Sequence, residues 1–250
     1  MIIEALSVFP DVFDAYMHAS ILGRAQREEI FEFHSYDLRD WTYDRHRSVD
    51  DEPYGGGAGM LMKVEPIVHA VESIQQARSM PARTIFFTPA GTPFSQREAE
   101  RLAGYERLLF VCGRYEGIDE RAFELVADEC ISLGDYVLTG GELAAMVVSD
   151  AVVRLLPGAL GDAQSSLDES FSASLSHGLL EYAQYTRPAS FRGHEVPEVL
   201  RSGDHARIKR WRRENSLERT LRFRPDLLEC AHLSHEELAF LETYCNREKS

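Results

Sequence analysis

The sequence predicts an α/β fold, a mostly parallel sheet with helices around it, joined to a smaller all-helical C-terminal domain. Three observations carry this prediction. Short apolar runs of strand length alternate with longer segments of helical periodicity through the first 157 residues, the alternation that builds parallel sheets. Several of those runs end in a glycine-rich turn. After Pro157 the alternation stops, a serine-rich stretch without an apolar face follows, and the remainder reads as helix.

Taken in order, residues 2–9 (IIEALSVF) form a first strand, and residues 10–26 form a helix that Gly23 brings to an end. Residues 30–36 form a second strand. Residues 37–62 are polar, hold four glycines within positions 55–59 and break every period, so they read as a long loop of the kind that carries function. A helix over 64–76, a strand over 84–87, a helix over 95–105 and a strand over 108–112 follow. Residues 136–138 look like one further strand end. After them TGGELAAMVVSDAVVRLL has helical spacing, with Thr139 where a cap would sit. The domain boundary falls near Gly161, giving a domain over 1–160, a linker over 161–175 and a helical domain over 176–250, with 201–215 and 234–244 as its clearest helices.

The stretch from Leu109 to Met146 organises the rest. It contains two glycine turns, around 113–117 and 132–141, and a third at 88–91 precedes it. A glycine turn between strand and helix is the layout of a ligand site at the carboxyl edge of a parallel sheet. No GxxxxGK[ST] occurs and no GxGxxG follows the first strand, which disfavours ATP or NAD bound in the usual ways. Backbone groups exposed by glycine suit an adenine ring without phosphates, and carboxylates such as Glu116 and Asp135 suit a cationic group.

Charge and cysteine usage narrow the class further. The 250 residues are 44% hydrophobic and 27% charged, enough to bury a good core in one or two domains, and the net charge of −14 argues against wholesale nucleic-acid binding. The distribution is uneven, since residues 201–224 (RSGDHARIKRWRRENSLERTLRFR) are dense in arginine with Trp211 and Phe223 interleaved. A local basic face is one reading of it, and a solvated helix with i,i+4 ion pairs is the other. Cys112, Cys130, Cys230 and Cys245 contain no CxxC pair. Neither a zinc site nor a disulfide framework is supported, and free, mostly buried thiols are expected. The first 13 residues lack a basic segment before their apolar ones, and no apolar run approaches membrane-spanning length, so a cytoplasmic protein without a membrane partner is expected.

Five stretches carry a family resemblance: DRHRSVDDEPYGGGAGM (44–60), VCGRYEGIDER (111–121), GDYVLTGGEL (134–143), YTRP (185–188) and EVPEVLRSGDHARIKRWR (195–212). In this order, across essentially the whole chain, they resemble the bacterial tRNA (guanine-N1)-methyltransferases, knotted SPOUT-class enzymes that methylate the guanosine just 3′ of the anticodon. The resemblance implies a deep trefoil knot, which topology rules alone would not suggest. It also implies tRNA as partner, S-adenosyl-L-methionine as methyl donor, and a homodimer with its active sites at the subunit interface. Family members benefit from Mg2+, though no carboxylate cluster in this sequence specifies a metal site.

Carried over residue by residue, the resemblance places the cofactor on Phe86, Phe87, Pro89, Gly113, Tyr115, Glu116, Gly117, Ser132, Leu133, Gly134, Tyr136, Leu138, Gly140 and Gly141. Phe86 stands where Tyr is common and Ala144 where Pro is common. His46, Asp50 and Gly59 match positions near the target nucleotide, and Lys209, Arg210, Arg212 and Arg213 would contact phosphates. Guanine N1 carries a proton, so methylation needs a base at N1–H and a positive group near O6. Arg154 matches the family's positive group. The base falls on Glu169, which keeps its spacing to Ser170 and Phe171 but stands where Asp is more common; Asp168 takes the role if the linker is shifted.

Overall fold

The computed structural model describes residues 1–160, 169–172 and 178–248, and the chain divides into two compact units, Met1–Gly161 and Asp162–Ser250. In the first unit the order is β1 (Ile2–Ser7), α1 (Asp14–Met17), α2 (Ser20–Arg27), β2 (Glu32–Asp37), β3 (Asp50–Asp51), β4 (Leu61–Met62) and α3 (Val64–Gln76). There follow β5 (Arg83–Pro93), α4 (Gln96–Leu102), β6 (Arg107–Val111), α5 (Glu120–Val126), β7 (Glu129–Ser132) and α6 (Glu142–Val153). Five strands form one sheet in the order β2-β1-β6-β5-β7, every pair parallel.

The apolar runs alternate in register and so feed two cores. Leu108 and Phe110 of β6, Ile3 and Ala5 of β1 and Ile85 of β5 face one side, where α1, α2, α4 and α6 supply Met17, Leu22, Leu102 and Val148. Leu109, Val111, Leu6 and Phe86 face the other, under Ile67, Val71 and Ile74 of α3 and Ala122 of α5. Strands buried on both faces read as continuous hydrophobic runs, which is why periodicity located them. One charged pair lies inside this sheet. Glu4 and Arg107 are both fully buried, joined at 2.7 Å, and Arg107 also donates to the carbonyls of Met80 and Ile74 at 2.8 and 2.6 Å.

Several local expectations are corrected. The 10–26 helix is three pieces, a 3-10 turn over Pro10–Phe13 and then α1 and α2, because the chain breaks at His18 and Ser20 takes φ +45°. Gly23 lies inside α2 and does not end it. Residues 136–138 are not a strand; Tyr136 and Val137 are exposed, and the fifth strand is β7, whose mixed sequence ECIS hid it. The residue that caps α6 is Gly141, not Thr139. The 37–62 loop contains a 3-10 turn and the short antiparallel pair β3–β4, which closes the glycine segment between them.

The second unit contains β8 (Ser190–Phe191), β9 (His194–Glu195), α7 (Glu198–Arg201), α8 (His205–Phe223) and α9 (His235–Glu248). It is not all-helical as expected. Arg192 and Gly193 both adopt positive φ, +51° and +83°, and turn the chain into a two-residue hairpin joining β8 to β9. Asp204 starts α8 by accepting the amides of Ala206 and Arg207, both at 3.1 Å. Leu179, Leu217 and Leu241 form the unit's small core. Thiol burial is mixed: Cys112 is buried, Cys130 half-buried and Cys230 exposed.

Candidate active site

β5 runs on to Pro93 where a strand over 84–87 was expected, and its 88–91 segment is an irregular stretch of the strand, between Phe87 and Thr92, where its register against β7 shifts. Parallel strands present the same edge, so this stretch and the turns after β6 and β7 meet there. They enclose a cavity of about 340 Å³, within the size range of small-molecule sites. Its wall includes Phe87, Pro89, Gly113, Tyr115, Glu116, Gly117, Ser132, Leu133, Gly134, Tyr136, Leu138, Gly140 and Gly141, so three loops far apart in sequence are brought together. Phe86 is the exception among the expected cofactor residues. Successive side chains on a strand point to opposite faces; the Phe86 ring is therefore wholly buried, 4.9 Å from Phe123, while the neighbouring Phe87 turns to the Phe110 side.

The second and third turns touch through their backbones. The Gly141 amide donates to the Gly113 carbonyl at 2.9 Å, and a Cβ on residue 141 would lie 2.8 Å from the Cys112 Cα. Only glycine permits that approach. The buried Cys112 thiol behind it is pushed well up by burial and, secondarily, by the Glu142 carboxylate, which keeps it protonated and unreactive at neutral pH.

The glycine loop is fastened to the same site. The Glu116 amide donates to the Met60 carbonyl at 3.0 Å and the Met62 amide to the Gly117 carbonyl at 2.9 Å, and Gly59 backs onto the Glu116 side chain. Tyr115 adopts a positive φ of +60°, and its phenol is pushed up by burial and then by the hydrogen-bonded Asp50 carboxylate. Asp50 and Gly59 therefore lie against wall residues. His46 sits in an exposed turn where its amide donates to Asp44 at 2.8 Å, and it is not on the wall. Of the two carboxylates considered for a cation, Glu116 lines the cavity and Asp135 is exposed outside it.

Sequence reasoning missed Arg114, Glu120 and Phe123 on the wall. It also missed Glu142, buried behind Arg114 and 2.9 Å from its Nε. The signal was available: Arg114 and Glu142 lie inside the two motifs, GRYEG and TGGEL, whose glycines drew the attention. Arg154 is the C-terminal cap of α6 and is half-buried. Four residues earlier, Asp150 accepts a short hydrogen bond from Tyr16, whose phenol is pushed up first by that bond.

In the second unit Glu169 is half-buried, and the segment is tied down on its C-terminal side. The Phe171 amide donates to the Leu179 carbonyl at 3.1 Å, the Glu181 amide to Ser170 Oγ at 2.9 Å, and Phe171 is held at φ +69°. Asp168 lies outside the described residues. Of the four expected phosphate contacts, Arg213 pairs with Glu237 at 2.5 Å and Arg210 with Glu214 at 2.7 Å, while Arg212 lies 4.7 Å from the Tyr182 ring centroid and Lys209 is exposed. Among the described residues, no group of three or more His, Cys, Asp or Glu side chains is arranged to hold a metal, and no helix is long and apolar enough to cross a membrane.

A parallel α/β sheet with a glycine-walled cavity at its carboxyl edge defines a class of α/β protein in which that edge is the usual place for a ligand. Comparison with known proteins is specific. A sequence model of the family described as "tRNA (Guanine-1)-methyltransferase TrmD" matches residues 1–230. Curated proteins called tRNA (guanine-N(1)-)-methyltransferase are similar over nearly the full length. Those of Limosilactobacillus fermentum and Dehalococcoides mccartyi are 54% and 50% identical, each over 97% of this chain and 95% and 96% of their own. The one from Bacillus cereus is 52% identical over 97% of this chain and 98% of its own. The chain belongs to the tRNA (guanine-1)-methyltransferase family.

Proposed function

We propose that the cavity at the ends of β5, β6 and β7 holds S-adenosyl-L-methionine, and that the chain methylates N1 of the guanosine immediately 3′ of the anticodon in tRNA. One observation carries this reading: three glycine turns converge on a single cavity in a chain of this family. The residues fit the cofactor. The side chains of Phe87 and Leu138 suit an adenine ring, backbone at Gly113, Gly117, Gly134 and Gly140 suits its edge and the ribose, and Glu116 suits an amino group.

When bound, the cofactor supplies an electrophilic methyl group on a sulfonium. The rest falls to this chain's own groups. Glu169 takes the proton from guanine N1, turning a poor nucleophile into a good one, and Arg154 faces the negative charge that builds on O6. The backbone at Phe171, held at positive φ by bonds on either side of it, supports a positioned rather than a freely moving carboxylate. Asp50 and Gly59, fastened to Tyr115 and Glu116, would bring the glycine loop against the target nucleotide, with His46 further out in the same loop.

The same reading includes the family's trefoil knot and a homodimer. Helix α6 is apolar on both sides. Ala145, Val148 and Val152 pack into the core, while Leu143 and Val147 remain 55% and 48% exposed, and Phe9, Val12 and Tyr16 are exposed apolar residues of the same unit. An apolar helix face left in water calls for a partner, and a second copy of this chain is the partner the family supplies. Residues 1–160 then form the cofactor domain, 161–175 the linker and 176–250 the tRNA-binding domain of a cytoplasmic enzyme. The test is methyl transfer to tRNA transcripts carrying guanosine or adenosine at the position 3′ of the anticodon. Incorporation with guanosine alone is expected; equal incorporation into both would overturn the assignment.

A further inference from the structure

Arg114 brings a positive charge to the wall of a cavity proposed to hold a cation, an arrangement that electrostatics should penalise. Its surroundings supply the remedy. The Glu142 carboxylate lies 3.1 and 2.9 Å from the Arg114 Nε through its two oxygens, and only 2% of Glu142 is exposed. Ser7 Oγ donates to Glu142 Oε1 at 2.6 Å, while Ser7 itself accepts the Phe9 amide at 2.9 Å, fixing the carboxylate from behind. Glu142 opens α6, where the helix dipole favours an anion.

The guanidinium is clamped in place. It donates to the Thr139 carbonyl at 3.3 Å and lies 4.8 Å from the Phe9 ring centroid. A Cβ on Gly140 would come within 2.2 Å of its Nε, so the wall residue Gly140 rests directly on the ion pair.

We propose that Glu142 is a specificity-determining positioning residue. By neutralising Arg114 from behind the wall, it lets the cavity accept a sulfonium cation and discriminate it from the neutral thioether left after methyl transfer. The inference rests on the cofactor reading above and deepens it. A buried carboxylate that served packing alone would affect both ligands alike, whereas a charge behind the wall acts differently on two ligands that share their ammonium and carboxylate and differ only by the charge on sulfur.

The experiment measures calorimetric affinities of the full chain for S-adenosylmethionine and S-adenosylhomocysteine at low ionic strength, with thermal melting to verify folding. In Glu142→Gln the uncovered Arg114 should weaken the sulfonium relative to the thioether by about threefold or more, the order expected of one unit charge acting across a cavity open to water. Glu142→Asp should keep the wild-type ratio, and the double variant Arg114→Gln/Glu142→Gln should return to it. Arg114→Gln, which leaves the carboxylate uncovered, should move the ratio the other way and serves if Glu142→Gln does not fold. An unchanged ratio in both Glu142→Gln and Arg114→Gln, or in whichever of them folds, overturns the proposal while leaving the cofactor reading intact. A wild-type chain that binds neither ligand overturns both.

Discussion

Glu169 has one methylene more than the aspartate favoured by the resemblance, and misplacing a catalytic group by about 1 Å can cost on the order of a hundredfold in rate. The segment around it offers a means of compensation, since the Phe171 and Glu181 amides anchor the backbone on its C-terminal side. Single-turnover methylation is expected to fall by about a hundredfold or more in Glu169→Gln, with cofactor affinity unchanged. Asp168→Asn is expected to stay near wild type; the reverse pattern would make Asp168 the base. Most wall residues were legible in the sequence because they lie in long motifs. The Phe86 ring lies off the wall for a physical reason: adjacent strand residues face opposite sides of a sheet, so the Phe86 and Phe87 rings could not both turn the same way. Ion pairs such as Glu142 with Arg114 are not legible, because residues 28 positions apart meet only once the sheet has formed.

At the scale of elements, the strands buried on both faces were readable from composition, and α3 spans the residues its periodicity predicts. Elements whose identity depends on neighbours were not. Strand β7 shows no apolar run because only Ile131 and Ser132 of its four residues are buried, and the β8–β9 hairpin depends on two positive-φ residues in a polar stretch. Helix α6 makes the strongest demand. Placing a charge on its exposed face with Val147→Glu is expected to leave the fold intact and shift the proposed dimer toward monomer by light scattering, with loss of turnover. A variant that remains dimeric would remove this face as the subunit contact. Helix α8 is basic, yet two of its cations are held by Glu214 and Glu237, the first in the i,i+4 spacing that one reading of the segment expects. Neutralising Lys209 together with Arg210 is expected to weaken tRNA binding and flatten its salt dependence. Arg213→Ala should instead lower stability through the lost contact between α8 and α9. An unchanged salt slope in the first variant would count against α8 as the phosphate-binding surface.

At the scale of the molecule, a chain of net charge −14 can serve an RNA substrate only if positive charge is concentrated locally and the reacting group is shielded. The division into two units suits this, with arginine gathered on one helix of the second and the glycine-walled cavity in the first. The fold class followed from alternation of strands and helices, and the convergence of the three glycine segments on one cavity follows from strand order β2-β1-β6-β5-β7, which sets β5, β6 and β7 side by side. That convergence is the central claim, and amide hydrogen exchange with and without saturating S-adenosylmethionine tests it most directly. Slowed exchange is expected together at residues 88–91, 113–117 and 133–141, with α8 and α9 unaffected. Protection confined to one of these turns, or appearing elsewhere in the chain without them, would contradict the account.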